Sequence, residues 1–254
     1  MNKKIQYQIL LIVLVVIVII NLTFIIGDLT NGSDNTYNVT DIGSNANGTV
    51  YKIIAGNASS EDTIGIILGV HPREYEIHEE VNKTIHNITS ENGTQNLTKK
   101  YVIYYIKTKP SLTSHDETRV AGEELANKFI VPNIAKDEPD LVVDVHEIDP
   151  NYEYSNFVFS LSNRTDKINS YIHKLTNDVN LVDYDFDLGT SPEKVTKPIA
   201  NKGIDTLLVE TSITDAIVQK HQTAENLVRS LDSLNMWYYA KSSWNFNWSY
   251  ATCP

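Results

Sequence analysis

Runs of apolar and β-branched residues recur along this chain, separated by segments with helical spacing, and that alternation leaves few architectures open. Strands are predicted at 50–54, 63–70 (TIGIILGV), 101–108 (YVIYYIKT), 141–148 (LVVDVHEI), 157–161 and 205–211 (DTLLVET). Between them, 74–88 places Ile77, Val81, Ile85 and Ile88 on one helical face. Further helices are predicted over 119–134 (apolar side Leu125, Phe129 and Ile130), over 166–179, and from 215 to about 240. Strands that are nearly continuous in apolar residues must be covered on both faces. The expected fold is therefore α/β, a mostly parallel mixed sheet with helices on both faces. In such sheets ligands gather at the carboxyl ends of the strands.

Charge and cysteine content narrow the function. With 21 Lys+Arg against 32 Asp+Glu the net charge is −11, which argues against a nucleic-acid partner, since such surfaces cluster Lys and Arg on phosphates. The single cysteine, Cys253, excludes an intramolecular disulfide and a Cys-rich zinc site, so any metal must be held by His and carboxylates.

The chain divides into three expected parts. From Ile9 to Ile26 the only polar residues are Asn21 and Thr23, an 18-residue stretch at about the minimum for a membrane-spanning helix. It lacks the small-x-small ending of a cleaved signal. Residues 1–27 are read as an uncleaved anchor, with Lys3 and Lys4 keeping that end cytoplasmic and the rest outside. Residues 28–48, rich in Asn, Gly, Ser, Thr and Asp, read as a flexible tether, and 49–254 as the extracytoplasmic domain. Of 25 asparagines, 11 lie in N-x-[ST] sequons where chance gives about four, which suggests an exported glycoprotein. Asn82, Asn87, Asn92 and Asn96 cluster on what should then be surface. The aromatic run 244–250 reads equally as a docking patch or as a packed tail.

Three predicted strands end in chemistry. The first runs into Gly69-Val70-His71-Pro72-Arg73-Glu74, the second carries Asp144-Val145-His146-Glu147, and the third ends in Val209-Glu210-Thr211. His71 and Glu74, three apart at a strand-to-helix junction, can turn to one point, and His146 would complete a two-His, one-carboxylate set. Catalytic zinc typically takes three protein ligands and leaves a position for water, whose pKa it lowers. A carboxylate outside that set then accepts the proton, and Glu210 is the candidate. Asp144 shares a strand face with His146 by the period of two and could support it, whereas Glu147 points to the other face. His78, one helical turn beyond Glu74, is expected to be exposed, and His86, His115, His173 and His221 to be solvated.

HPRE after an apolar strand resembles the signature of the zinc carboxypeptidases. The later histidine and the glutamate near the carboxyl end are similar too, and the D-x-H around His146 resembles the succinylglutamate desuccinylase/aspartoacylase branch. The resemblance covers roughly 50–240 and rests on three short motifs. It implies a phosphorylase/hydrolase-like α/β fold, zinc held by His71, Glu74 and His146, Glu210 as general base and acid, and a peptide or acylated amino-acid substrate. It departs from the pattern in lacking an Asn-Arg pair before the third histidine, where carboxypeptidases hold the substrate's terminal carboxylate. The only such pair, Asn163-Arg164, follows His146 and sits inside a sequon. Arg119 is the nearest substitute, because a guanidinium can fork a carboxylate. Arg73, within the motif, could line a subsite, and Tyr184 stands roughly where carboxypeptidases carry a mobile tyrosine. A zinc-dependent, carboxypeptidase-like amide hydrolase is the leading reading. The alternatives are an N-acyl-amino-acid deacylase and a surface binding protein that kept the fold but lost catalysis.

Overall fold

The computed structural model describes residues 35–90, 96–185 and 192–236. Eight strands form one sheet: β1 (Asn35–Ser44), β2 (Gly48–Asn57), β3 (Thr63–Leu68), β4 (Lys100–Thr108), β5 (Leu141–Ile148), β6 (Phe157–Ser160), β7 (Val182–Asp183) and β8 (Thr206–Ser212). Their order is β1-β2-β4-β3-β5-β8-β6-β7. The centre, β4-β3-β5-β8, is parallel throughout. The flanks bring in antiparallel pairs, β1 with β2, β2 with β4, and β6 with β8.

Helices cover both faces, as the two-sided burial of the central strands requires. On one face α1 (Tyr75–Thr89), α4 (Asp166–Val179) and α6 (Ile217–Asp232) pack Ile77, Val81, Leu175 and Leu227 against Ile66, Val143 and Val209. On the other, α2 (His115–Leu125) continues through a wider turn over Ala126–Ile130 into α3 (Val131–Asp137). Together with α5 (Lys197–Ala200) it brings Leu125, Ile130, Ile134 and Ile199 onto Ile67, Val102 and Val142. Odd and even residues of β5 thus serve different cores, the alternation a pleated strand imposes.

Three expectations change. The tether predicted over 28–48 contains β1, which pairs with β2 from Asn35↔Asn57 to Ser44↔Thr49 and carries a bulge between Asp41 and Gly43. Its polar composition misled because an edge strand needs only part of its side chains covered. Tyr37 packs on one core and Ile42 on the other, while Val39 stays exposed. The helix predicted from 119 starts at His115, where the Ser114 side chain accepts from the Glu117 backbone N–H. The helix predicted to about 240 ends at Asp232, whose carboxylate accepts from the backbone N–H groups of Thr98 and Lys99.

Among the described residues no helix is long and apolar enough to cross a membrane. The expected anchor over 1–27, the tether's first residues, Asn92, the aromatic run 244–250 and Cys253 lie outside the described residues. Of the sequon cluster, Asn87 and Asn96 are exposed, but Asn82 is half-buried in α1 and accepts a hydrogen bond of 2.8 Å from the Tyr37 hydroxyl.

Candidate metal site

The site is assembled by strand ends. After β3 the chain turns at Gly69, whose φ of +83° favours glycine and whose added Cβ would lie 2.4 Å from the Ile106 carbonyl oxygen. A tight turn follows, closed by the Glu74 N–H donating to the His71 carbonyl at 3.0 Å, and it sets both side chains on one side. Parallel register does the rest. His146 of β5 is paired with Glu210 of β8, so both side chains leave the sheet on the same face. From that face α2 approaches so closely that a Cβ at Gly122 would lie 1.9 Å from the Val70 carbonyl oxygen. That glycine admits the next residue, Glu123, to the site.

His71 Nδ1 lies 2.8 Å from Glu74 Oε1, His146 Nδ1 lies 2.9 Å from Glu74 Oε2, and the two Nδ1 atoms are 3.2 Å apart. All three residues are buried. The other nitrogen of each ring faces a carboxylate, His146 Nε2 at 3.1 Å from Asp144 Oδ1 and His71 Nε2 at 3.3 Å from Glu123 Oε1. With protons on both Nε2 atoms, two imidazole lone pairs and a carboxylate converge on one point, an arrangement that needs a cation or a proton to be stable. Donors at ~2.1 Å from a tetrahedral zinc stand roughly 3.4 Å apart, so the observed spacings need only slight expansion to admit one. The donor set fits a metal ion.

Electrostatics agree. Burial alone would raise the Glu74 carboxyl, but the charge and hydrogen bond of His146, and then His71, hold it well below the usual carboxylate range. Burial would lower His146, yet Asp144 and Glu74 push it well above its ordinary value. Glu210, with Oε2 buried and lacking a hydrogen-bond partner, is pushed up to about 8 by burial, with Glu74 and Asp144 adding and His146 and Arg119 opposing.

The four groups His71, Glu74, His146 and Glu210 line a cleft of about 470 Å³ together with Arg73, Arg119, His115, Asp149, Tyr152 and Ile213. Arg119, on α2, has its Nη1 3.9 Å from Glu74 Oε1 and its Nε 3.6 Å from Glu123 Oε1, at the cleft wall. Arg73 is exposed and donates to the Thr113 carbonyl at 3.1 Å, which leaves part of its guanidinium on the rim. Asp144 stands behind His146, and its second oxygen accepts from Thr196 Oγ1 at 2.8 Å. Glu147 reaches the cleft edge but turns its carboxylate to Lys220, 2.6 Å away, and only its backbone N–H donates to Glu74, at 3.2 Å.

Other sequence readings fare differently. Arg164 binds Asp183 and Asp185 at 2.7–2.8 Å and is absent from the cleft lining, as is Tyr184, which donates to Glu153 at 3.3 Å. Neither serves this cleft. His78 is fully buried rather than exposed, with Nε2 2.8 Å from the Val145 carbonyl and its pKa brought down to about 4 by burial. His115 is exposed, as expected, and also lines the cleft. The sequence reading missed Glu123 and Lys194.

The chain presents a central parallel sheet sandwiched by helices, with a His-Glu-His cluster at its carboxyl edge. Solved structures of that fold match the chain. A metallo-carboxypeptidase from Burkholderia cenocepacia matches with a TM-score of 0.55 at 11% identity, over 77% of this chain and 64% of that one. A candidate carboxypeptidase A from Shewanella denitrificans OS-217 gives 0.52 at 13% identity, over 77% and 64%. A candidate metallopeptidase from the same species gives 0.51 at 9% identity, over 76% and 82%. The chain therefore spans under two thirds of the length of the first two. No family model and no curated protein matches it.

Proposed function

We propose that this chain is a zinc-dependent amide-bond hydrolase acting on the carboxyl-terminal side of peptides, with His71, Glu74 and His146 as metal ligands. The observation that carries the reading is the convergence of those three donor groups beside Glu210, a half-buried glutamate with a buried carboxylate oxygen, in the lining of one cleft. A zinc ion held there supplies Lewis-acid polarisation of a carbonyl and activation of water.

The chain's own residues do the remainder. Asp144 faces Nε2 of His146 at 3.1 Å and Glu123 faces that of His71 at 3.3 Å, which favours a proton on each Nε2 and a lone pair at Nδ1. Glu210 takes a proton from water at its carboxylate and returns it to the departing amine nitrogen. Its affinity for that proton, raised by burial, suits both halves of the task. Arg119 at the wall is placed to fork the substrate's terminal carboxylate, in the absence of an Asn-Arg pair before His146. Arg73 and His115 add positive or neutral donors at the mouth. An extracytoplasmic, membrane-anchored and glycosylated setting belongs to this proposal on the strength of residues 9–26 and the sequon excess.

Elemental analysis of the purified protein tests the core of the reading. About one zinc per chain is expected, lost in His146→Ala, with release of carboxyl-terminal residues from a peptide panel by the zinc-loaded protein. Wild-type protein that takes up no metal after reconstitution would refute it. Activity confined to small acylated amino acids would transfer the proposal to a deacylase.

A further inference from the structure

Behind the two histidines, one short segment touches both of their supporting carboxylates. Lys194 Nζ lies 2.7 Å from Glu123 Oε2, and Thr196 Oγ1 donates to Asp144 Oδ2 at 2.8 Å. Glu123 and Asp144 are buried, and each offers its other oxygen to a histidine, at 3.3 Å for His71 and 3.1 Å for His146. The segment, Pro192–Thr196, is itself fixed to the wider turn after α2, where Asn127 Nδ2 donates to the Lys194 carbonyl at 2.7 Å. Two chains of contact thus run in parallel, Lys194–Glu123–His71 and Thr196–Asp144–His146, from residues two apart in sequence.

We infer that Lys194 and Thr196 are positioning residues of the proposed metal site, a clamp that orients both histidine ligands at once through Glu123 and Asp144. The inference rests on the metal reading above. Its physical basis is that a carboxylate can swing about its own bonds, so a histidine backed by one is only as well aimed as that carboxylate is held. Glu123 arrives on a helix and Asp144 on a strand. Without a common anchor, the two rings would be aimed by elements with no direct tie to each other at the site. The clamp also divides its labour by chemistry. Lys194 shares the Glu123 charge with Arg119, whereas Thr196 gives Asp144 a neutral hydrogen bond and leaves its charge to face His146. Each pairing directs a carboxylate oxygen at the Nε2 of one ring, which turns that ring's Nδ1 towards the point where the donors converge.

The test is zinc affinity of the full chain by competition with a chromogenic chelator, for wild type, Lys194→Met, Thr196→Val, the double variant and Lys194→Arg. Loss of an outer partner of a metal ligand typically weakens binding ~10–100-fold. Lys194→Met and Thr196→Val should each weaken zinc about 10-fold and the double variant about 100-fold, with Lys194→Arg largely restored. Because Lys194 is partly exposed, Lys194→Met alone carries the test if Thr196→Val fails to fold. Imidazole nitrogen resonances of the zinc-loaded protein give a readout that a merely structural role would not move. The His71 Nε2–H signal should shift or broaden in Lys194→Met while the His146 signal stays. Variants that bind zinc within twofold of wild type, with both imidazoles unchanged, would overturn the clamp and leave the metal reading standing. Wild-type protein that binds no zinc would take down both.

Discussion

The centre of the sheet and its β1–β2 wing obey different rules. In β5 all eight residues are buried, one set of alternating side chains feeding the core under α1, α4 and α6 and the other feeding the opposite core or the site. In β1 none of the ten residues is fully buried, and its outer edge has no strand partner among the described residues. The centre is constrained from both sides and ends in the site; the wing is constrained by pairing to β2 and by a few anchors such as Tyr37. The contrast teaches that chemistry in this fold is attached to the positions that can least afford to move.

Substitutions can sharpen or break that contrast. The largest effect is expected at the end of the central strand β8. Glu210→Gln should lower turnover by roughly 10²–10⁴-fold while zinc content stays at the wild-type level. Full activity in that variant would mean that another group moves the proton. Next comes the pH dependence of the metal-free protein. Glu210 in the folded chain is raised from 4.5 to about 8, so the folded state holds its proton more tightly than the unfolded state does. The stability it contributes is complete below pH 4.5, declines as pH rises, and is gone above about 8. The raised His146 acts in the same direction, and the lowered Glu74 in the opposite one, losing its contribution in acid. Melting temperatures of chelator-treated protein should therefore fall between pH 6 and pH 9, less steeply in Glu210→Gln. A flat profile in the wild type would contradict the raised affinity of Glu210 for its proton. The smallest effects come from one change made in both regions. Val143→Thr, fully buried in β5, should cost about 1–3 kcal/mol by burying a hydroxyl. Val39→Thr in the wing, 55% exposed, should stay within about 0.5 kcal/mol by denaturant titration.

What could be read from the sequence follows the same line. Residues 141–148 and 166–179 match β5 and α4 end to end, because a doubly buried strand and an amphipathic helix each write a strong period. β1 could not be read that way, since an edge strand with a bulge and a largely polar face looks like a tether. The inner site was legible because strand ends place chemistry at predictable positions. His71, Glu74, His146 and Glu210 meet there, and Asp144 stands behind His146 as the period of two suggested. Glu123 was not legible, because a buried charge on a helix is paired only through residues brought in by tertiary contacts, here His71 and Lys194. His78 was misplaced for a related reason. Its partner is the Val145 carbonyl on a strand remote in sequence.

The parallel register of β3, β5 and β8 also bears on when in the life of the molecule its site exists. His71 follows β3, and His146 and Glu210 lie near the ends of β5 and β8, strands that touch one another only after long intervening stretches of chain have been folded back over the sheet. Contacts of such sequence separation form late and slowly. An ion at this site could not template the fold from a short local segment, as it does in a zinc finger. It would be acquired by a molecule whose topology is already complete, and occupancy would serve as a receipt that all three central strands had found their neighbours.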